Sequence, residues 1–127
     1  MKRASNLRPL FYLLTVTLTM FCLLNPGTAF ADPPQDVTLT YDNAKQTLTV
    51  SVTHKTTFAG LHYVKQIDIR KNGMPVGSYP FKSQPDKKTF TETYEVPAET
   101  GDILEIIASC NLQGNKTATL TVGKTNN

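Results

Sequence analysis

The chain has 127 residues, 39% of them hydrophobic and 18% charged, and a formal net charge of +3. Three of its thirteen basic residues (Lys2, Arg3 and Arg8) lie before residue 32 and none of its ten acidic residues do, so the remaining stretch of about ninety-six residues holds ten of each. That remainder is long enough for one domain with one core, and its neutrality excludes electrostatic capture of nucleic acid or an anionic membrane surface as its business.

The first 31 residues read as a secretory signal peptide. Lys2, Arg3 and Arg8 make a basic start, Leu10 to Leu24 is apolar apart from threonines, and Asn25-Pro26-Gly27 ends the run. Ala29-Phe30-Ala31 then places small residues where a signal peptidase reads them, which predicts cleavage before Asp32. A run of about fifteen residues is short for a bilayer span of roughly twenty. The expected product, residues 32–127, is therefore secreted or periplasmic and free of the membrane once cut. Cys22 leaves with the signal, so Cys110 is the single cysteine of the product and no internal disulfide can form. A lone thiol in an oxidising compartment is expected to be buried, bound or paired with another chain.

From residue 37 onward the hydrophobic pattern has a period of two. Val37, Leu39 and Tyr41 mark a first strand, and Asp42-Asn43-Ala44-Lys45 a turn. Leu48, Val50 and Val52 alternate with Thr and Ser, and His54 falls on their parity, at the inward end of the second strand. Lys55 to Leu61 is a loop, and His62-Tyr63-Val64 opens the third strand, which needs a bulge or twist because Val64 and Ile67 differ in parity. Asn72-Gly73 predicts a tight hairpin. The return strand carries Val76 and Tyr79, with Pro80 at an edge or an end. After a polar loop, Lys82 to Lys88, a fifth strand carries Phe90, Tyr94 and Val96. Ile103 to Ala108 is the most apolar run and predicts a central strand buried on both faces, with Leu104, Ile106, Ala108 and Cys110 in phase. Asn111 to Asn115 turns the chain, and Ala118, Leu120 and Val122 mark a seventh strand. Seven alternating strands with no helical period after residue 31 predict an all-β, immunoglobulin-like sandwich, with a small Greek-key barrel as the alternative.

His54 and Cys110 end strands and His62 starts one, so the three can meet at one pole of a sandwich. Imidazole with thiolate suits iron, copper or zinc rather than calcium or magnesium. Phosphate loops, metalloprotease motifs and nucleophile elbows are absent from the sequence.

Cys110-Asn111-Leu112-Gln113-Gly114 resembles the Cys-Asn-x-His-Gly motif of the desulfoferrodoxin and superoxide reductase family. His62-Tyr63-Val64, with Ile67-Asp68-Ile69 and Asn72-Gly73 behind it, resembles that family's His-Tyr-Ile segment and the hairpin after it. The likeness runs from about Val50 to Val122. It implies an immunoglobulin-like iron domain whose mononuclear, non-haem ferrous ion has four equatorial imidazoles, an axial cysteine thiolate and one position open to superoxide. Carried over, Cys110 is the axial ligand, and His62 and His54 are equatorial ligands. The departures are specific: Gln113 stands at the position of a histidine ligand, and no histidine lies between Asp32 and Thr53. A site short of two imidazoles is expected to bind iron weakly, to take copper or zinc instead, or to be degenerate. If intact, it implies a superoxide reductase-type oxidoreductase with an external electron donor. The other function class is a non-catalytic sandwich that binds a partner protein, with a fainter likeness to the scaffold subunit of the thiosulfate-oxidation sulfur carrier.

Overall fold

The computed structural model describes residues 7–23 and 32–124. The chain divides into two units, Met1–Phe30 and Ala31–Asn127. In the first, α1 spans Leu7–Leu23, and no helix among the described residues is long and apolar enough to cross a membrane. The breaker at Asn25-Pro26-Gly27 and the small-residue cleavage signal lie outside the described residues.

In the second unit, alternation becomes strand. β1 is Asp36–Asp42, β2 Thr47–Thr53, β3 Val64–Lys71, β4 Met74–Pro80, β5 Thr89–Glu95, β6 Ile103–Cys110 and β7 Asn115–Thr121. They form two antiparallel sheets, ordered β1-β2-β5 and β4-β3-β6-β7. This is the immunoglobulin-like sandwich expected, with β4 beside β3 rather than on the first sheet. Pairing of every second residue inward builds the core from Leu48, Val50 and Val52 on one sheet and Val64, Ile67, Ile69, Leu104, Ile106 and Ala108 on the other, all buried. The outward positions of β2 and β5 are hydroxyl-rich. Thr49 and Thr93, Ser51 and Thr91, and Thr53 and Thr89 sit opposite one another within 3.2 to 3.4 Å, a ladder of cross-strand hydroxyl pairs.

Local chemistry fixes the turns. Asp42 accepts the Ala44 and Lys45 amides through Oδ1, closing the first hairpin. Asn72 and Gly73 both have positive φ, at 52° and 82°, and connect Lys71 directly to Met74, as a two-residue hairpin of the primed kind requires. The register shift between Val64 and Gln66 lets Val64 and Ile67 both face inward despite their parity. β4 is the outermost strand of its sheet, carries Pro75 and ends at Pro80.

Two details differ from the sequence expectation. β3 begins at Val64, so His62 belongs to the preceding loop. β6 is central but is buried on one face only: Leu104, Ile106, Ala108 and Cys110 are covered, while Ile103 is 47% exposed and Ile107 half-buried. An open two-layer sandwich has no third layer to cover the outer face, so an unbroken apolar run there overstates burial.

Tyr94 stacks on Tyr79 with ring centroids 4.2 Å apart, yet its hydroxyl is buried without a hydrogen-bond partner among the described residues. Burial, and secondarily the charge of Glu92, push its pKa well above the usual phenol value. A buried hydroxyl without a partner costs about 1–3 kcal/mol, so Tyr94→Phe is expected to raise stability in urea unfolding by about 1 kcal/mol. Ile106→Ala, by contrast, opens a cavity between the sheets and is expected to cost about 2–5 kcal/mol in the same assay.

Candidate metal centre

The antiparallel pairing of β3 with β6 sets Val64 opposite Cys110, so the start of one strand and the end of the other share a pole. β2 delivers its end there from the facing sheet. The parity of β2 carries one residue past Thr53, and His54 is completely buried. His62 comes from the loop between β2 and β3, where the Leu61 and His62 amides both donate to the Phe58 carbonyl at 2.9 Å. Cys110 is the last inward residue of β6 and is 4% exposed.

These three residues, separated by 8 and 48 positions in sequence, bring one ligand atom each to within 4.8 Å of one another. The imidazoles meet edge to face, with centroids 4.5 Å apart and planes at 83°. Their Nε2 atoms are 3.2 Å apart.

The orientation of His54 is set by Gln84, a buried residue of the loop between β4 and β5. The Gln84 Nε2 donates to the carbonyls of His54 at 2.7 Å and Asp86 at 2.6 Å. Two carbonyl acceptors identify that atom as the nitrogen, so Oε1 is the atom 2.7 Å from His54 Nδ1. The same oxygen accepts the Val64 amide at 3.3 Å. His54 therefore donates from Nδ1, and its Nε2 is turned toward His62. That Nε2 also lies 3.1 Å from the main-chain carbonyl oxygen of Asp32. A carbonyl oxygen has no proton to give. With Nδ1 already the donor, a neutral His54 sets lone pair against lone pair there. A positive centre among these atoms, a proton on Nε2 or a metal ion, turns the contact into an attraction.

Cys110 is held in a turn made for its sulfur. Its amide donates to the Gly114 carbonyl at 3.0 Å, and the Leu112 amide points at Sγ at 3.5 Å. Asn111 ties this turn to the His62 loop from both sides. Its Oδ1 accepts the Tyr63 amide at 2.8 Å, its Nδ2 donates to the Leu61 carbonyl at 2.9 Å, and its own amide donates to the Tyr63 carbonyl at 3.0 Å.

The donors fit a transition-metal ion. Metal–nitrogen distances of about 2.0–2.1 Å and metal–sulfur distances of about 2.3 Å put ligands of one tetrahedral ion roughly 3.3–3.6 Å apart. The two Nε2 atoms, 3.2 Å apart, are already at that separation, and the sulfur, within 4.8 Å of a ring nitrogen of each histidine, would close by at most about 1.2–1.5 Å. Gln113 is exposed in the Cys110 turn, as are Lys55 and Lys65 on the strands and loops nearby. The sequence reading missed Gln84 and the Asp32 carbonyl. Gln84 sits in an aperiodic polar loop, and a main-chain oxygen leaves no residue-type signature at all.

No protein-family model and no curated protein matches this sequence. Among solved structures, the chain is similar to a superoxide reductase (neelaredoxin) from Ignicoccus hospitalis, at 18% identity and a TM-score of 0.47, covering 71% of this chain and 80% of that one.

Gln84→Ala leaves His54 Nδ1, the Val64 amide and two carbonyls without their partner. It is expected to lower unfolding free energy by about 2–4 kcal/mol, measured by urea denaturation, and an unchanged midpoint would show that the clamp contributes nothing.

Proposed function

We propose that residues 32–127 form a mononuclear metal domain of the superoxide reductase type, with His54, His62 and Cys110 as ligands and iron as the ion. One observation carries this reading: two imidazoles and a thiol that are remote in sequence converge within 4.8 Å, with Nε2 of His54 confined among electron-rich atoms. The Cys-Asn-x-x-Gly and His-Tyr segments that resemble the family's motifs are the segments that supply Cys110 and His62.

When bound in its ferrous form, the ion supplies one electron, which with one superoxide and two protons gives hydrogen peroxide. The chain's own groups do the rest. Gln84 holds His54 so that Nε2 is the free donor. The Leu112 amide lies 3.5 Å from the Cys110 sulfur, and a thiolate held there would raise the electron density at a bound ion. His62, half-buried where His54 is fully buried, is the ligand on the solvent side, so an anion reaches the centre past it. Regeneration requires a one-electron donor. Phe58, Leu61 and Leu112, exposed apolar residues on the loops that carry His62 and Cys110, are a surface suited to a protein that brings it.

Zinc or copper would use the same three donors, and metal analysis distinguishes them. The test is anaerobic reconstitution of the 32–127 protein with ferrous iron, wild type beside Cys110→Ala and His62→Ala. Wild type is expected to hold close to one iron per chain and, once oxidised, to show a sulfur-to-iron charge-transfer band that Cys110→Ala lacks. Each substitution is expected to weaken binding at least about tenfold. Equal, negligible iron in all three proteins would exclude the proposal.

A further inference from the structure

The cluster offers three side chains, while an ion of this class takes four or more ligands. The main chain of Asp32 stands against it. Its carbonyl oxygen is 3.1 Å from His54 Nε2, and Asp32 is also the residue that becomes the N-terminus if the chain is cut after Ala29-Phe30-Ala31. The α-nitrogen of any residue lies roughly 3 Å from its own carbonyl oxygen, so the new amine would arrive at the same place.

We propose that processing completes this site: the α-amine and carbonyl oxygen of Asp32 together bind the ion held by His54, His62 and Cys110, so that the cut chain binds metal and the uncut chain binds it poorly. The inference rests on the metal-binding reading above.

Three features of the sequence prepare Asp32 for this. Pro33 follows it, and a residue before proline is pushed to ψ of about +120 to +160°. At that ψ the nitrogen and the carbonyl oxygen lie on the same side of the Cα–C bond, which is the geometry of a five-membered chelate ring. Pro33 and Pro34 carry no amide hydrogen, so an ion drawn to the terminus finds no further main-chain nitrogen to displace a proton from, and the carbonyl is the second donor. The segment is also fixed in place. Pro34 is buried, and the Gln35 amide donates to the Thr53 carbonyl at 2.8 Å. Gln35 Oε1 accepts the Lys55 amide at 3.2 Å. Pro33 packs on Gly114, where an added Cβ would come within 2.7 Å of the Pro33 ring. Gly114 closes the Cys110 turn, so the terminus and the thiol are held by one contact.

In an uncut chain the same nitrogen is an amide, whose lone pair is delocalised into the peptide bond. Only the carbonyl remains as a donor, and the gain from closing the chelate ring is lost.

The test compares proteins released from a removable N-terminal fusion, since the sandwich core lies wholly within 32–127. One begins at Asp32 with a free amine, one begins at Ala31, one is the Asp32→Ala protein with a free amine, and one is Cys110→Ala beginning at Asp32. Cobalt(II) and ferrous ions are the probes, with affinity read by competition against a chelator and cobalt coordination by its visible spectrum. The Asp32 protein is expected to bind at least about tenfold more tightly than the Ala31 protein, the range that intramolecular second attachment supplies, and Asp32→Ala is expected to match it. Equal binding by the Asp32 and Ala31 proteins, with Cys110→Ala still weakened, would overturn this inference and leave the metal-binding reading intact. Loss in Asp32→Ala equal to that from the Ala31 extension would assign the role to the carboxylate and also overturn it. Absence of binding in all four would remove both. Intact mass of the protein exported by a living cell is expected to correspond to a chain starting at Asp32, and a start elsewhere would overturn the proposal independently.

Discussion

One buried ring governs the pole of this sandwich. His54 has no exposed surface, and its Nδ1 donates a hydrogen bond to the Gln84 side-chain oxygen. The remaining nitrogen must therefore be satisfied inside the protein, from what the neighbouring segments provide. They provide another imidazole nitrogen, a sulfur and a carbonyl oxygen. Buried polar atoms are normally paired as donor to acceptor. The 3.2 Å contact between the two Nε2 atoms is satisfied when His62 donates and His54 accepts, while the Asp32 carbonyl oxygen is a further acceptor beside them. The loops around it follow from the same demand. Asn111 uses its amide and both polar atoms of its side chain to keep the thiol turn beside the His62 loop, and the Gln84 side chain links His54, Asp86 and β3.

The sandwich could be read from alternation because each sheet has one dry face. A one-residue slip in β2 would expose Leu48, Val50 and Val52 and bury the threonines of its outer face, so the pattern itself dictates register. The parity argument extended to His54 and Cys110, and both point inward as that argument requires. It could not extend to His62, which lies before β3, where the period of two no longer constrains direction. The reading of β6 as dry on both faces failed for a related reason. Ile103 is exposed and Ile107 only half-buried although both are apolar, and composition alone does not say how many layers a fold has.

The site was legible in its side chains and illegible in its supports. His and Cys announce metal chemistry by type. Glutamine in a polar loop does not, and Gln84 becomes meaningful only when the chain from β4 to β5 is seen to fold back over β2, where the Lys88 carbonyl accepts the His54 amide at 2.9 Å. The Asp32 carbonyl has no letter in the sequence. Gln113, which stands where the resembling family has a histidine ligand, is exposed, whereas His54 and Cys110 are buried.

The outermost strand of the larger sheet has a separate consequence. The Phe81 amide donates inward to the Lys65 carbonyl, so the nitrogen of Pro80, one residue earlier, faces away from the sheet. It has no hydrogen to offer a newcomer, and Pro75 removes another donor from the same strand. An extended peptide or a second molecule aligning itself along β4 would therefore meet gaps in its ladder at both ends. Flank-to-flank polymerisation is discouraged on that border.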